Sequence, residues 1–136
     1  MKNKTTKIKA LSKYLEFEVE DINQVDDLFT TGNKEYLVLT DKEADEKTKE
    51  YILDSVWAFN KSFLDGHSDI IAEIDDKTWA TLVDRCESSN KAVLAMIPDK
   101  DYFVEDAINA DGRGHFINSY DGKEEKKDGY YIYRVN

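Results

Sequence analysis

A short segment at residues 40–43, Thr-Asp-Lys-Glu, separates two kinds of sequence in this 136-residue chain. A threonine followed three residues later by a glutamate forms a capping box, in which each side chain accepts a hydrogen bond from the other residue's backbone N–H. The residues immediately before this segment are β-prone, whereas in the residues immediately after it apolar side chains recur at helical spacing. The sequence therefore predicts an α+β fold whose first long helix begins here.

Three main helices are predicted from the capping box onward. The first spans residues 40–64 and the second spans residues 75–97, with Asp75 or Asp76 as its N-cap. Pro98 ends the second helix because proline lacks an amide proton. It can also be the first residue of a third helix that reaches residue 110. A shorter lysine-rich helix is expected over residues 6–15, after five residues that we expect to be disordered.

A small antiparallel sheet is predicted from the two ends of the chain. Residues 28–31 and 35–40 flank Gly32-Asn33 and are typical of a hairpin. The remaining strands are expected within residues 116–135, with turns at two Asp-Gly pairs; residues 122–129 are read as a solvated turn and not as a site. Residues 16–27 fit a strand or a short helix equally well. The three helices are expected to cover one face of this sheet in a single domain over residues 1–136.

The charge is strongly acidic, with 29 acidic and 19 basic residues and a formal net charge of −10. The first 15 residues hold five lysines and no acid, so the rest of the chain carries −15. The basic helix therefore either touches a nucleic acid or acidic surface, or docks on the acidic body. Direct nucleic-acid binding is not expected, because it needs clustered Lys and Arg. An acidic chain of this kind suits solubility, a basic protein partner or a metal ion.

Cysteine content and hydropathy bound the compartment. A lone cysteine, Cys86, excludes an internal disulfide, and its place on an apolar helical stripe predicts a buried, reduced thiol. No signal peptide is recognised at the N-terminus, and no run approaches the ~20 apolar residues of a membrane span. We therefore expect a cytoplasmic protein with no membrane contact.

Catalytic and metal-binding signatures are weak. Two histidines and one cysteine do not form a zinc pattern. Asp65, His67 and Asp69 could hold a divalent ion, but they lack a framing motif, and we expect a polar loop that ends a helix. The sequence has neither a G-x-S-x-G elbow nor a G-x-x-x-x-G-K phosphate loop. No metal, no cofactor and no enzymatic activity are expected.

The most unusual stretch is residues 110–122, which hold three of the six glycines. In one interpretation Arg113, His115, Tyr120 and Asp121 converge beside flexible backbone, with Arg113 binding an anion and His115 exchanging a proton. In the other, Gly112 ends a helix in a positive-φ conformation, Arg113 pairs with a nearby acid and His115 packs on a tyrosine. The stretch then acts as a hinge between a helix and a hairpin.

A second candidate site is the acidic side of the first long helix. Residues three or four apart on a helix are neighbours, so carboxylates on one side form a row. Such a row can imitate nucleic-acid phosphates in a basic groove, and it can equally be a solvated face interrupted by Lys42, Lys47 and Lys49. The carboxylates chosen as candidate binding residues are those of Asp41, Glu46, Glu50 and Asp54.

The tail segments at residues 110–116 (ADGRGHF), 119–122 (SYDG) and 130–134 (YYIYR) resemble a group of small acidic proteins encoded by bacteriophages and prophages. Residues 36–41 (YLVLTD) and 51–60 (YILDSVWAFN) are also similar. The resemblance implies expression in an infected bacterial cell, and it brings no catalytic residue with it. Small acidic phage proteins often bind host factors, including defence nucleases, so the resemblance implies a partner of that class.

Three functional hypotheses follow. The first is a non-enzymatic binding protein of phage origin that engages a basic host or phage protein, inhibiting a host defence or nucleic-acid-binding factor by partial DNA mimicry. The second is a small enzyme, or a nucleotide- or anion-binding domain, with its site at the hinge between Arg113 and Tyr120. The third is a structural phage component that acts by self-association.

Overall fold

The computed structural model describes the backbone of residues 2–136 and the side chains of residues 6–136. These residues form an α+β structure with eight α-helices and five strands. The helices are α1 Lys2–Leu15, α2 Asp41–Asp54, α3 Lys61–Asp65, α4 Asp69–Glu73, α5 Asp76–Val83, α6 Asn90–Ala95, α7 Lys100–Asp111 and α8 Arg113–Ile117. The strands are β1 Asn23–Val25, β2 Leu28–Thr31, β3 Lys34–Leu39, β4 Glu125–Lys127 and β5 Tyr130–Arg134.

The chain divides into two compact units, one formed by Met1–Thr48 and Asp111–Asn136 and the other by Lys49–Ala110. The first unit contains the sheet, and the second contains only helices and turns. The single domain over residues 1–136 stays a prediction. Helix α1 begins at Lys2, four residues earlier than expected, while the part of the disorder prediction that concerns Met1 lies outside the described residues.

The sheet is antiparallel throughout, with the strand order β1-β2-β3-β5-β4. The predicted hairpin about Gly32-Asn33 is confirmed, since Thr31 pairs with Lys34 and Gly32 has a φ of 62°. The second hairpin turns at Asp128-Gly129, as expected. Residues 122–129 are more than a turn, however, because they also contain β4. The ambiguous segment 16–27 contains a 3-10 turn, Val19–Asp21, followed by β1.

Both faces of the sheet carry apolar clusters, whereas the sequence led us to expect helices over one face. Side chains alternate along β3: Tyr36 and Val38 join one cluster, while Leu37 and Leu39 join the other. The first cluster comprises Leu11, Ile22, Phe29, Tyr36, Val38 and Ile132, with Ile8 and Leu15 of α1 packed against it. The second comprises Leu37, Leu39, Ala44, Ile117 and Tyr133. Helices α1 and α8 therefore pack on opposite faces of the sheet.

Helix α1 is docked rather than extended from the body. Its apolar side is buried through Leu11, and Lys7 Nζ lies 2.7 Å from Glu43 Oε1. Lys13 lies 3.3 Å from Asp128, which precedes β5. Of the two interpretations of this basic helix, the structure therefore supports the docked one.

The predicted long helix over residues 40–64 is wrong, because α2 ends at Asp54. A 3-10 turn, Val56–Ala58, and then α3 follow it. The amide of Asn90 holds this break: its Nδ2 donates to the Leu53 carbonyl at 2.8 Å, and its Oδ1 accepts from the Trp57 N–H at 3.2 Å. A side chain distant in sequence thus satisfies backbone groups that a continuous helix would have paired internally.

The second predicted helix is also interrupted. Asp75 caps α5 as expected, accepting from the Thr78 N–H at 2.8 Å, but α5 ends at Val83. Cys86 then adopts a φ of 53° at the start of a 3-10 turn, and α6 follows. Since a left-handed residue cannot continue a right-handed helix, the apolar stripe is broken there. The expectation of a buried Cys86 is therefore wrong, and its thiol is exposed.

The third predicted helix is confirmed as α7, with one change at its start. Pro98 lies before the helix, and Asp99 is the capping residue, with its Oδ1 accepting from the Tyr102 N–H at 3.0 Å. Gly112 ends the helix with a φ of 85°, as predicted. The following residues form α8 rather than the expected strand, so Phe116 lies in a helix.

Candidate functional site

Arg113 is the centre of an ion cluster within the sheet-containing unit. Its Nη1 donates to Asp41 Oδ1 and to Asp45 Oδ1, both at 2.9 Å, and its Nε donates to Glu124 Oε1 at 2.8 Å. The guanidinium also lies 4.6 Å from the centre of the Tyr131 ring. With its side chain only 11% exposed, Arg113 joins the first turn of α2 to the tail of the chain.

The electrostatics of this cluster follow from its excess of carboxylates. Burial lowers the pKa of Arg113, but the hydrogen bonds that its guanidinium donates to Glu124, Asp41 and Asp45 outweigh burial and raise that pKa above its ordinary value. Burial also raises the pKa of Tyr133, whose hydroxyl bonds Glu124. Arg113 is thus a cation already neutralised by the protein's own acids.

The four side chains predicted to converge at the hinge have separate partners. His115 is 61% exposed and lies 3.9 Å from Asp111 Oδ2, with its ring edge-on to Phe116. Tyr120 is 57% exposed and stacks with Arg134. The Oδ1 of Asp121 accepts hydrogen bonds from Asn118 Nδ2 at 2.7 Å and from the Lys123 N–H at 3.1 Å. Tyr120 and Asp121 share a groove, whereas Arg113 and His115 do not line it.

His67, the other histidine, is nearly buried. Its Nε2 lies 2.7 Å from Asp106 Oδ2, and its side chain is 5% exposed. Its ring packs against aromatic rings whose centres are 5.1–5.3 Å away, those of Phe63, Tyr102 and Phe103. Asp65, a candidate metal ligand in the sequence, instead pairs with Lys61. Among residues 6–136, no group of three His, Cys, Asp or Glu side chains is placed to hold a metal ion.

A groove of about 200 Å³ lies in the sheet-containing unit, and no pattern in the sequence predicted it. Its walls come from α1, β3, β4, β5 and the turn after α8. Tyrosines from α1, β3 and the turn after α8, which are distant in sequence, line it together. The residues that line it are Tyr14, Leu15, Tyr36, Asn118, Tyr120, Asp121, Lys123, Glu125, Ile132 and Arg134.

The acidic side of α2 is present as the sequence predicted, with one change. Ala44, Thr48 and Ile52 are fully buried on one side of the helix. Glu46, Glu50 and Asp54 are exposed on the opposite side, and none of them forms an ion pair within the described side chains. Asp41 differs from these three, because its carboxylate is already bonded to Arg113.

No protein-family model, curated protein or solved structure matches this chain. Within residues 2–136, none of the helices has both the length and the apolar character that crossing a membrane requires.

Proposed function

We propose that this protein is a non-enzymatic binding protein that engages a basic protein partner through the exposed acidic side of α2. The observation that carries the proposal is the row of Glu46, Glu50 and Asp54, which lies opposite the buried side of the helix. A rise of 1.5 Å per residue separates successive members by about 6 Å along the axis. These carboxylates form no ion pair with the side chains of residues 6–136, and at this spacing they offer matching sites for a row of Lys and Arg side chains.

The distribution of charge supports the same proposal. The helical unit Lys49–Ala110 contains 13 acidic and six basic residues, a net charge of −7. A surface that binds a nucleic-acid backbone carries clustered Lys and Arg, and such a surface is complementary to a row of carboxylates. The proposed partner is therefore a basic host or phage protein in the bacterial cytoplasm, with a nucleic-acid-binding or defence factor as the specific case.

The alternative of an enzyme or anion-binding domain at the hinge has less support. Arg113 Nε and Nη1 are bonded to three acids, which leaves an incoming anion to compete with them. His115 is exposed, and its nearest acid is 3.9 Å away. The arrangement provides no enclosed position where an anion-binding group and a proton-transfer group would meet.

Affinity capture from a bacterial lysate tests the proposal. The bait is the tagged chain, compared with the triple variant Glu46→Gln, Glu50→Gln and Asp54→Asn. We expect the wild type to retain a basic protein at low salt and to release it at high salt, since exposed charges are screened beyond ~10 Å at 0.1 M. The triple variant should retain at least about tenfold less, because it loses several charge contacts.

A matched control separates the α2 side from net charge. The variant Asp84→Asn, Glu87→Gln and Glu105→Gln also removes three exposed carboxylates that form no ion pair within the described side chains, but these lie outside α2. It should capture the partner as the wild type does. Equal loss of capture in both triple variants would mean that net charge, and not the α2 side, explains the binding. Unchanged capture by the α2 variant would rule out the proposed surface.

A further inference from the structure

Five of the ten residues that line the groove in the sheet-containing unit are aromatic or aliphatic, and the other five are polar or charged. Three tyrosine rings line it: Tyr36 is 4% exposed, while Tyr14 and Tyr120 are 39% and 57% exposed. Its volume of about 200 Å³ is below the ~300–1,000 Å³ of pockets that hold drug-sized ligands. The space therefore fits a ligand built on one ring, which can pack against the tyrosine side chains.

Arg134 contributes a guanidinium group to the groove, and its two Nη atoms have no hydrogen-bond partner among residues 6–136. Its guanidinium stacks on Tyr120, with 3.5 Å between Cζ and the ring centre, and its Nε donates to the Asn136 carbonyl at 3.0 Å. Within residues 6–136 no hydrogen bond or ion pair uses its two Nη atoms. Arg113 in the same unit is surrounded by three acids, so Arg134 differs in having its planar fork free for a ligand.

Other donors face the same space. Lys123 lines the groove, and its ammonium forms no ion pair within the described part of the chain. A tyrosine hydroxyl is protonated at neutral pH and can donate; burial, together with the neighbouring Glu125, Tyr36 and Asp121, raises the pKa of Tyr14 further. The groove therefore contains hydrogen-bond donors that are available to a ligand.

Two carboxylates also line the groove and oppose an anion. The Oδ1 of Asp121 is occupied by Asn118 and by the Lys123 backbone, which holds it to its own turn. Glu125 is exposed on β4, the outer strand of the sheet. The guanidinium of Arg134 already occupies the position over the Tyr120 ring where a cation would bind. A ligand cation would therefore have to displace Arg134, whereas a carboxylate can add to it.

We infer that this groove binds a small aromatic carboxylate, with its ring against the tyrosines and its carboxylate accepting two hydrogen bonds from the Arg134 Nη atoms. This activity is independent of the acidic side of α2 and goes beyond the proposed function. A planar carboxylate matches the guanidinium fork, and paired charge-assisted hydrogen bonds give both affinity and orientation.

Titration with three probes that share a ring tests the inference. Benzoate, benzylamine and benzyl alcohol are added separately to isotopically labelled protein, and the backbone and tyrosine-ring NMR signals are followed. We expect benzoate to shift signals from the groove in a saturable way and to bind at least about tenfold more tightly than benzyl alcohol, as loss of a charged hydrogen-bond pair predicts. Benzylamine should bind no more tightly than the alcohol.

Variants locate the binding site. Arg134→Gln should weaken benzoate at least about tenfold, whereas Lys126→Gln, which removes a cation on β4 outside the groove lining, should leave it unchanged. Tyr120→Leu should also weaken benzoate, while Tyr120→Phe keeps the ring and should not. If Arg134→Gln fails to fold, Arg134→Lys keeps the charge without the fork and serves instead.

Three results would overturn the inference. The first is tighter binding of benzylamine than of benzoate, which would mean that Asp121 and Glu125 dominate the groove. The second is benzoate binding that Arg134→Gln, or Arg134→Lys in its place, does not weaken. The third is the absence of saturable shifts with any of the three probes. None of these results bears on capture by the α2 side, so the two proposals fail separately.

Discussion

Arg113 lies among Asp41, Asp45 and Glu124, whose side chains are 70%, 59% and 31% exposed. Exposed carboxylates are screened by water, so the contacts with Asp41 and Asp45 contribute only about 0–1 kcal/mol each. Glu124 is the least exposed partner and also bonds the Tyr133 hydroxyl, and it is therefore the main anchor of the cluster. All three carboxylates pair with Arg113 by charge, but the least exposed of them contributes most to stability.

Gly114→Ala tests the close packing beside this cluster. A Cβ on Gly114 would lie 2.5 Å from the Gly122 carbonyl oxygen and 2.8 Å from the Lys123 carbonyl carbon. Because backbone would have to move, we expect the free energy of unfolding to fall by about 1–3 kcal/mol, as for overpacked cores. Urea unfolding followed by circular dichroism measures it.

Gly66→Ala is the matched control for that change. Its Cβ would lie an ordinary 3.5 Å from the Phe63 carbonyl oxygen, and its φ of −71° suits alanine. Alanine there should be neutral or should stabilise the protein by about 0.4–1 kcal/mol through the unfolded state. Wild-type stability of Gly114→Ala would contradict the described approach of α8 to the turn at Gly122.

The helices of this protein begin because of residues nearby in sequence, whereas the break after α2 depends on a residue distant in sequence. The capping box at Thr40, the cap at Asp75 and the stop at Gly112 all depend on residues within three or four positions. The sequence predicted the first and the last, and it left the second between Asp75 and Asp76. The break after α2 depends on Asn90, which lies 37 residues from Leu53. No periodicity near Leu53 indicates that contact, so two continuous helices were predicted where the structure has several short ones.

Thr40→Ala tests the capping box at the start of α2. Thr40 Oγ1 accepts from the Glu43 N–H at 3.2 Å, and Glu43 Oε1 accepts from the Thr40 N–H at 2.9 Å. Loss of the hydroxyl should lower the free energy of unfolding by about 1 kcal/mol. Thr81→Ala, inside α5, is the control and should cost nothing, because alanine is the better helix former. Equal losses from both substitutions would mean that the cap adds nothing.

At the scale of the whole molecule, the excess of ten negative charges acts against the compact state. Salt screens this repulsion, with a Debye length of about 30 Å at 0.01 M and about 10 Å at 0.1 M. We therefore expect the melting temperature to rise when sodium chloride is raised over this range, as scanning calorimetry would measure. A fall would mean that attractive pairs, such as those of Arg113 and Lys7, outweigh the general repulsion.

The sequence by itself determined the α+β class, both hairpin turns, the caps and the acidic side of α2, because each depends on neighbours along the chain or on one helical period. Tertiary structure alone decided which acids pair with Arg113, that Cys86 is exposed and that the tyrosine groove exists. These depend on residues brought together from far apart. Tyr14, Tyr36 and Tyr120 meet only because β3 pairs with β5 while α1 packs across the sheet, and no local pattern encodes that pairing.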